Sequence, residues 1–168
     1  MSSAHVSAVR SRDIIMSEWR GLSPFPDVGA RVVDEPVFRF LIDLEVQKAQ
    51  RLRYCVSLVC LNAEVGDAET REPAAPSLAP IVTRYLRGTD VVTPWPPASL
   101  ALLLIHAETV HLPSILRRLT ALLETIAWSA GGASYPRTTT RADELLSQAV
   151  ELMVRAKKEG GNRFYVAS

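Results

Sequence analysis

Apolar residues fall along this chain in blocks that alternate between helical spacing and short continuous runs. From Glu35, the residues Val37, Phe40, Leu41, Leu44 and Ala49 recur near helical spacing among Asp43, Gln47, Lys48 and Arg51, which predicts an amphipathic helix. Tyr54 to Leu61 is a continuous apolar run with β-branched and aromatic residues, the signature of a strand buried on both faces. Gly66 to Pro80 gathers acidic, Ala and Pro residues into a surface loop. Leu78, Ile81, Val82, Tyr85 and Leu86 then restore a helical stripe that stops at Gly88. Asp90 to Thr93 and Leu100 to Ile105 read as paired strands around Trp95-Pro96-Pro97, and proline there excludes the tight primed turns, so a wider tip is expected. Val110 to Ile126 is predicted helical, with Leu112, Leu116, Leu119 and Leu123 among its inward positions, followed by a glycine-containing strand from Trp128 to Tyr135. Thr140 to Asp143 resembles a capping box, and it opens a helix whose Leu145, Leu146, Ala149, Met153 and Ala156 form one stripe. Gly160-Gly161 ends that helix, and Phe164 to Val166 is a last strand. Helices alternating with short strands around one hairpin specify an α+β domain, its helices packed on a sheet.

Residues 1–33 lack such blocks and are turn-rich from Gly21 to Gly29, so they read as an N-terminal arm and linker preceding a domain over 34–168. Within the arm, Ile14, Ile15, Met16 and Trp19 form a short apolar patch suited to gripping a partner. Trp95 beside two prolines either anchors a protein contact or folds back over its own sheet. A hydrophobic fraction of 48% over 168 residues suffices for one core. The formal charge of +1, with both signs interspersed, gives no basic stripe for a nucleic-acid backbone. No apolar run reaches the roughly 20 residues of a membrane span, and no signal-peptide core precedes Arg20, so a cytoplasmic protein without membrane insertion is expected. Cys55 and Cys60 read as buried thiols. His5, His106 and His111 have no partners at metal-ligand spacing, and no serine or cysteine sits in a nucleophile pattern.

Five segments together resemble a known family: Leu86-Arg87-Gly88-Thr89-Asp90-Val91-Val92, Ala101 to Leu104, Ser129 to Pro136, Ala156-Lys157-Lys158-Glu159-Gly160-Gly161-Asn162-Arg163, and the hairpin between the first two. The chain looks like a degenerate diguanylate cyclase (GGDEF) domain, with Pro96-Pro97-Ala98-Ser99-Leu100 where the family carries its Gly-Gly-Asp-Glu-Phe signature. The resemblance implies a nucleotidyl-cyclase-like fold: a central, mostly antiparallel five-stranded sheet flanked by helices, with the degenerate signature on a β-hairpin.

The same resemblance makes each substitution readable. Active members join two GTP molecules using metal-bound carboxylates and a glycine loop that approaches phosphate. Pro96 and Pro97 offer no N–H donors there, and Ala98 and Ser99 replace the acidic pair. Asn62 and Glu64 stand where an Asp-x-Asp pair is expected, the guanine-reading Asn before the first helix is missing, and Gly161 replaces a phosphate-contacting arginine, while Lys157 is retained. Cyclase activity is therefore expected to be lost, with no catalytic metal or other cofactor. The family's product-inhibition site survives as Arg87-Gly88-Thr89-Asp90, six positions ahead of the signature. A guanidinium can grip guanine O6 and N7 or a phosphate, and a carboxylate can accept from guanine N1 and N2. Arg87 and Asp90, assisted by Arg117 or Arg118, are thus the expected contacts for cyclic di-GMP. The expected role is a bacterial receptor that relays the ligand to a protein partner, the alternative being a ligand-independent scaffold or homodimerisation module.

Overall fold

The run after Tyr54 forms the longest strand of the sheet, β2 (Val56–Val65), four residues longer at its C-terminal end than the apolar run suggests. The structure is a computed structural model that describes residues 29–67, 69–96 and 98–168. Around β2 lie β1 (Arg31–Val32), β3 (Glu72–Pro73), β4 (Val91–Trp95), β5 (Ser99–Ile105), β6 (Ala127–Tyr135) and β7 (Arg163–Val166), in the order β1-β4-β5-β2-β6-β7 with β3 on the end of β2. β1 and β7 pair parallel with their neighbours, and the other pairs are antiparallel. Five strands of four residues or more thus carry the sheet, trimmed by two of only two residues.

Side chains alternate across β2 as strand geometry requires. Val59, Leu61 and Ala63 join the core beneath α2 (Ala75–Val82) and α3 (Leu112–Thr120), whereas Val56, Leu58 and Cys60 face α1 (Glu35–Leu52) and α4 (Ala142–Lys158). The small residues of β6 let two helices come close. A Cβ on Gly131 would lie 2.2 Å from the Ala149 carbonyl oxygen and 2.3 Å from the Met153 nitrogen, so α4 packs directly on the strand backbone.

Several expectations shift. The first helix forms, capped by Asp34, whose carboxylate accepts from the Val37 N–H at 3.1 Å. Its buried face is Phe38, Ile42, Val46 and Ala49, while Val37, Phe40 and Leu44 lie exposed on the other side. Two apolar stripes share this helix, and the sheet takes the one containing Phe38. The second helix starts earlier, at Ala75, and tightens into a 3-10 turn at Thr83–Tyr85; the extended Leu86 ends it, not Gly88. The predicted helix over 110–126 is cut to α3 with a 3-10 turn at either end, and the Thr120 hydroxyl donates to the Leu116 carbonyl at 2.8 Å near its end. Thr140 does not cap α4. Arg141 is the N-cap residue and no side chain caps the first turn; Thr139 braces the approach instead, accepting from the Arg141 N–H at 3.1 Å and donating to Glu144 at 2.6 Å. Cys60 is buried, but Cys55 precedes β2 and is only half-buried. The tip closes in three residues, since Trp95 pairs with Ser99.

The last residues of the predicted linker are part of the sheet edge. Ala30 N–H donates to Thr83, Arg31 N–H to Asp90 and Val33 N–H to Val92. Ile14, Ile15 and Trp19 lie outside the described residues, as does Pro97.

Candidate functional site

The foot of the β4–β5 hairpin, away from the tip, borders a cleft of about 390 Å3. Arg84 and Arg87 reach it from the segment that follows α2, Asp90 from the start of β4, His106 from the end of β5, and His111 and Arg118 from α3 and the turn before it. Three of the four expected ligand residues therefore meet. Arg118 lines the cleft, whereas Arg117 is exposed and does not.

Asp90 is only 5% exposed and holds the loop together. Its carboxylate accepts from the Arg87 N–H at 2.9 Å and from the Ile105 N–H at 3.0 Å, while its own N–H donates to the Arg87 carbonyl at 2.9 Å. Burial pushes the carboxyl above the usual carboxylate range, opposed by those two N–H groups and the Arg87 charge. The spacing of the motif is thus the spacing of a turn, in which the aspartate at the fourth position captures the N–H of the first. Two of its roughly four lone-pair sites are occupied by backbone donors, and Asp90 lines the cleft.

No ion pair joins Arg87 to Asp90, and among the described residues none forms to Arg84, Arg87 or Arg118 either. Arg118 donates to the Tyr85 carbonyl at 3.3 Å, which points it along the cleft wall. Three guanidiniums around one buried carboxylate make a cationic site with planar donors, fitted to anions and to purine edges. At one lip the His106 ring stacks on Tyr54 with centroids 4.5 Å apart. Tyr54 donates to Glu45 of α1 at 2.7 Å, and burial together with this carboxylate pushes its phenol up to about 12. The sequence reading did not single out Arg84, which carries a signal one turn ahead of Arg87, and it set His106 and His111 aside for want of partners at metal-ligand spacing.

The opposite end of the hairpin is closed. Asn62 donates through its amide to the Ala98 carbonyl at 3.2 Å and to the Ser99 hydroxyl at 3.4 Å, and the Ala63 N–H donates to the same carbonyl at 3.1 Å. Ala98 and Ser99 are both buried, while Pro96 is exposed. Glu64 is paired with Lys157 at 2.7 Å and approached by Arg71 at 3.8 Å. A hollow of about 130 Å3 remains between these groups and Gly161. The donor set does not fit a pair of divalent cations: one carboxylate answers two cationic side chains, and the neighbouring amide is spent on the hairpin. Gly161 and Asn162 both have positive φ, and Asn162 exchanges hydrogen bonds with Trp128. That end of α4 is a helix cap, as the glycines imply. Trp95 folds back, half-buried against the α1 face of the sheet, with the Arg39 guanidinium 4.8 Å above its ring.

No protein-family sequence model matches the chain, and no curated protein matches it. Solved structures do. The GGDEF domain of PA1120 (YfiN or TpbB) from Pseudomonas aeruginosa aligns with a TM-score of 0.67 at 15% identity, over 81% of this chain and 96% of that one. The GGDEF domain of DgcB from Caulobacter crescentus, solved in complex with c-di-GMP, aligns at 0.60 and 14% identity over 81% and 88%. The diguanylate cyclase SiaD from Pseudomonas aeruginosa, in complex with its activator SiaC, aligns at 0.63 and 13% identity over 95% and 70%. The chain has the GGDEF fold, a mixed sheet flanked by helices.

Proposed function

We propose that this domain binds cyclic di-GMP in the cleft at the hairpin foot, has lost diguanylate cyclase activity, and relays the ligand to a protein partner. The observation that carries the reading is the convergence of Arg87, Asp90 and Arg118 on one cleft where no ion pair neutralises the guanidiniums among the described residues. Cyclic di-GMP is dianionic and carries two guanines, so it offers both phosphate oxygens and the O6/N7 edge to Arg87 and Arg118. Asp90 keeps the loop in register and turns its remaining lone pairs to guanine N1 and N2. A neighbour with the same fold is bound to c-di-GMP, and another assembles with an activator protein, which supports ligand and partner as classes. At the tip, the Lys157–Glu64 pair and the Asn62–Ala98 bond stand where phosphate and metal would have to enter.

Calorimetric titration of cyclic di-GMP into the wild-type protein and Arg87→Ala tests this. Micromolar or tighter binding is expected, weakened in the variant by about 30-fold, which corresponds to roughly 2 kcal/mol for a lost bidentate contact. Silence of the wild type at high-micromolar ligand would leave a ligand-independent scaffold.

A further inference from the structure

Arg87, Arg118 and Asp90 offer contacts to the phosphates and edges of a guanine nucleotide, and none of them is an aromatic ring for its face. Three rings line the same cleft: Tyr85, His106 and His111. The His111 ring is already engaged, its Nδ1 accepting from the Glu108 N–H at 3.4 Å in the capping box ahead of α3. Tyr85 is 45% exposed, and among the described residues no other ring or cation braces it.

His106 is held from two directions. One face of its ring stacks on Tyr54, with centroids 4.5 Å apart and planes 27° from parallel, and Tyr54 is itself tied to α1 through Glu45 at 2.7 Å. The residue is exposed, so the other face of the ring is open to a ligand. Its backbone sits at a φ of 56°, in the left-handed region that few side chains adopt, histidine being among those that tolerate it. The His106 N–H donates to the Cys55 carbonyl at 2.9 Å, and the N–H of the preceding Ile105 donates to Asp90 at 3.0 Å. The ring therefore follows directly on the residue whose N–H the buried carboxylate holds. A fixed aromatic face close to an edge-reading carboxylate is what recognition of an unpaired base requires: stacking binds any base, and the edge contact chooses among them.

On the reading of the cleft as a cyclic di-GMP site, we infer that His106 is its stacking platform: one guanine lies on the open face of the ring while Asp90 takes the N1 and N2 edge. Tyr54 stands behind as a positioning residue. The test is calorimetric titration of cyclic di-GMP into the wild type, His106→Asn, His106→Tyr and Tyr85→Ala. Asparagine tolerates left-handed backbone, so it removes the ring and keeps the loop. Affinity is expected to fall roughly 10-fold in His106→Asn, to recover to within about 3-fold of wild type in His106→Tyr, and to fall less in Tyr85→Ala than in His106→Asn. In the wild-type complex the His106 ring protons shift upfield in the NMR spectrum under the ring current of the stacked base, which a residue that only braced the loop would not show. Wild-type affinity in His106→Asn, ring protons that do not move, or a larger loss from Tyr85→Ala overturns the stacking role while the cyclic di-GMP reading stands. A wild type that binds no cyclic di-GMP overturns both.

Discussion

The two ends of the β4–β5 hairpin have met opposite fates. At the tip, side-chain polar groups are committed to neighbours: Asn62 to Ala98 and Ser99, Glu64 to Lys157 and Arg71. At the foot, one buried carboxylate is committed to backbone while three guanidiniums face a cleft with no ion pair among the described residues. The same two strands connect them, with unbroken pairing from Val91–Leu103 to Trp95–Ser99. A ladder is indifferent to what its ends do chemically, so substitutions at one end leave the geometry of the other intact.

The harshest way to break this comparison is through the scaffold both ends share. Gly131→Ala places a methyl group against backbone atoms of α4, where no flexible side chain can give way. A loss of about 4 kcal/mol or more in denaturant melts is expected, with Lys157 displaced from Glu64 and the foot disordered together. Asp90→Ala comes next. It strands the N–H groups of Arg87 and Ile105 and costs about 2–4 kcal/mol, along with ligand binding. Arg87→Ala should weaken ligand without comparable loss of stability, and this separation distinguishes the cation that binds from the carboxylate that braces.

Smaller changes sharpen the contrast. Lys157→Met is expected to cost about 1 kcal/mol or less and to leave cyclic di-GMP affinity unchanged; a shifted affinity in calorimetry would mean that the two ends are coupled after all. The mildest probe is Tyr54, whose folded pKa is pushed from the ordinary 10.0 up to about 12 by burial and by Glu45. A raised folded value means that this contribution to stability is complete below pH 10 and is lost as pH climbs through about 12. Phenolate absorbance should show one tyrosine titrating there, and Tyr54→Phe should abolish that step and flatten the alkaline edge of the stability profile.

Most elements were legible because their patterns have one solution. A continuous apolar run such as Val56–Leu61 cannot sit at a surface, and the stripe from Leu145 to Ala156 allows one inward face. Periodicity failed at α1 because two interleaved stripes, one through Phe38 and one through Phe40, satisfy the same rule, and only the tertiary partner selects between them. The capping box failed for a related reason: Thr139 and Thr140 are chemically interchangeable, and the backbone entering α4 buries the first and leaves the second exposed, so neither caps the helix. At the candidate site, register with the hairpin found Arg87 and Asp90. Arg84 sits in the predicted helical stretch but off its apolar stripe, His106 follows β5 with no partner pattern around it, and the bracing role of Asp90 appears only when the Ile105 N–H is seen fifteen residues away.

One hydrogen bond gives the cleft a mechanical address. The Arg31 N–H donates to the Asp90 carbonyl at 3.2 Å, so the described chain joins the sheet edge at the very residue that shapes the loop beside the cleft. Tension or rotation applied ahead of Gly29 arrives at Asp90 before it reaches any other part of the β4–β5 hairpin. Input from the N-terminal side therefore arrives at the main chain of the one residue whose side chain braces the cleft.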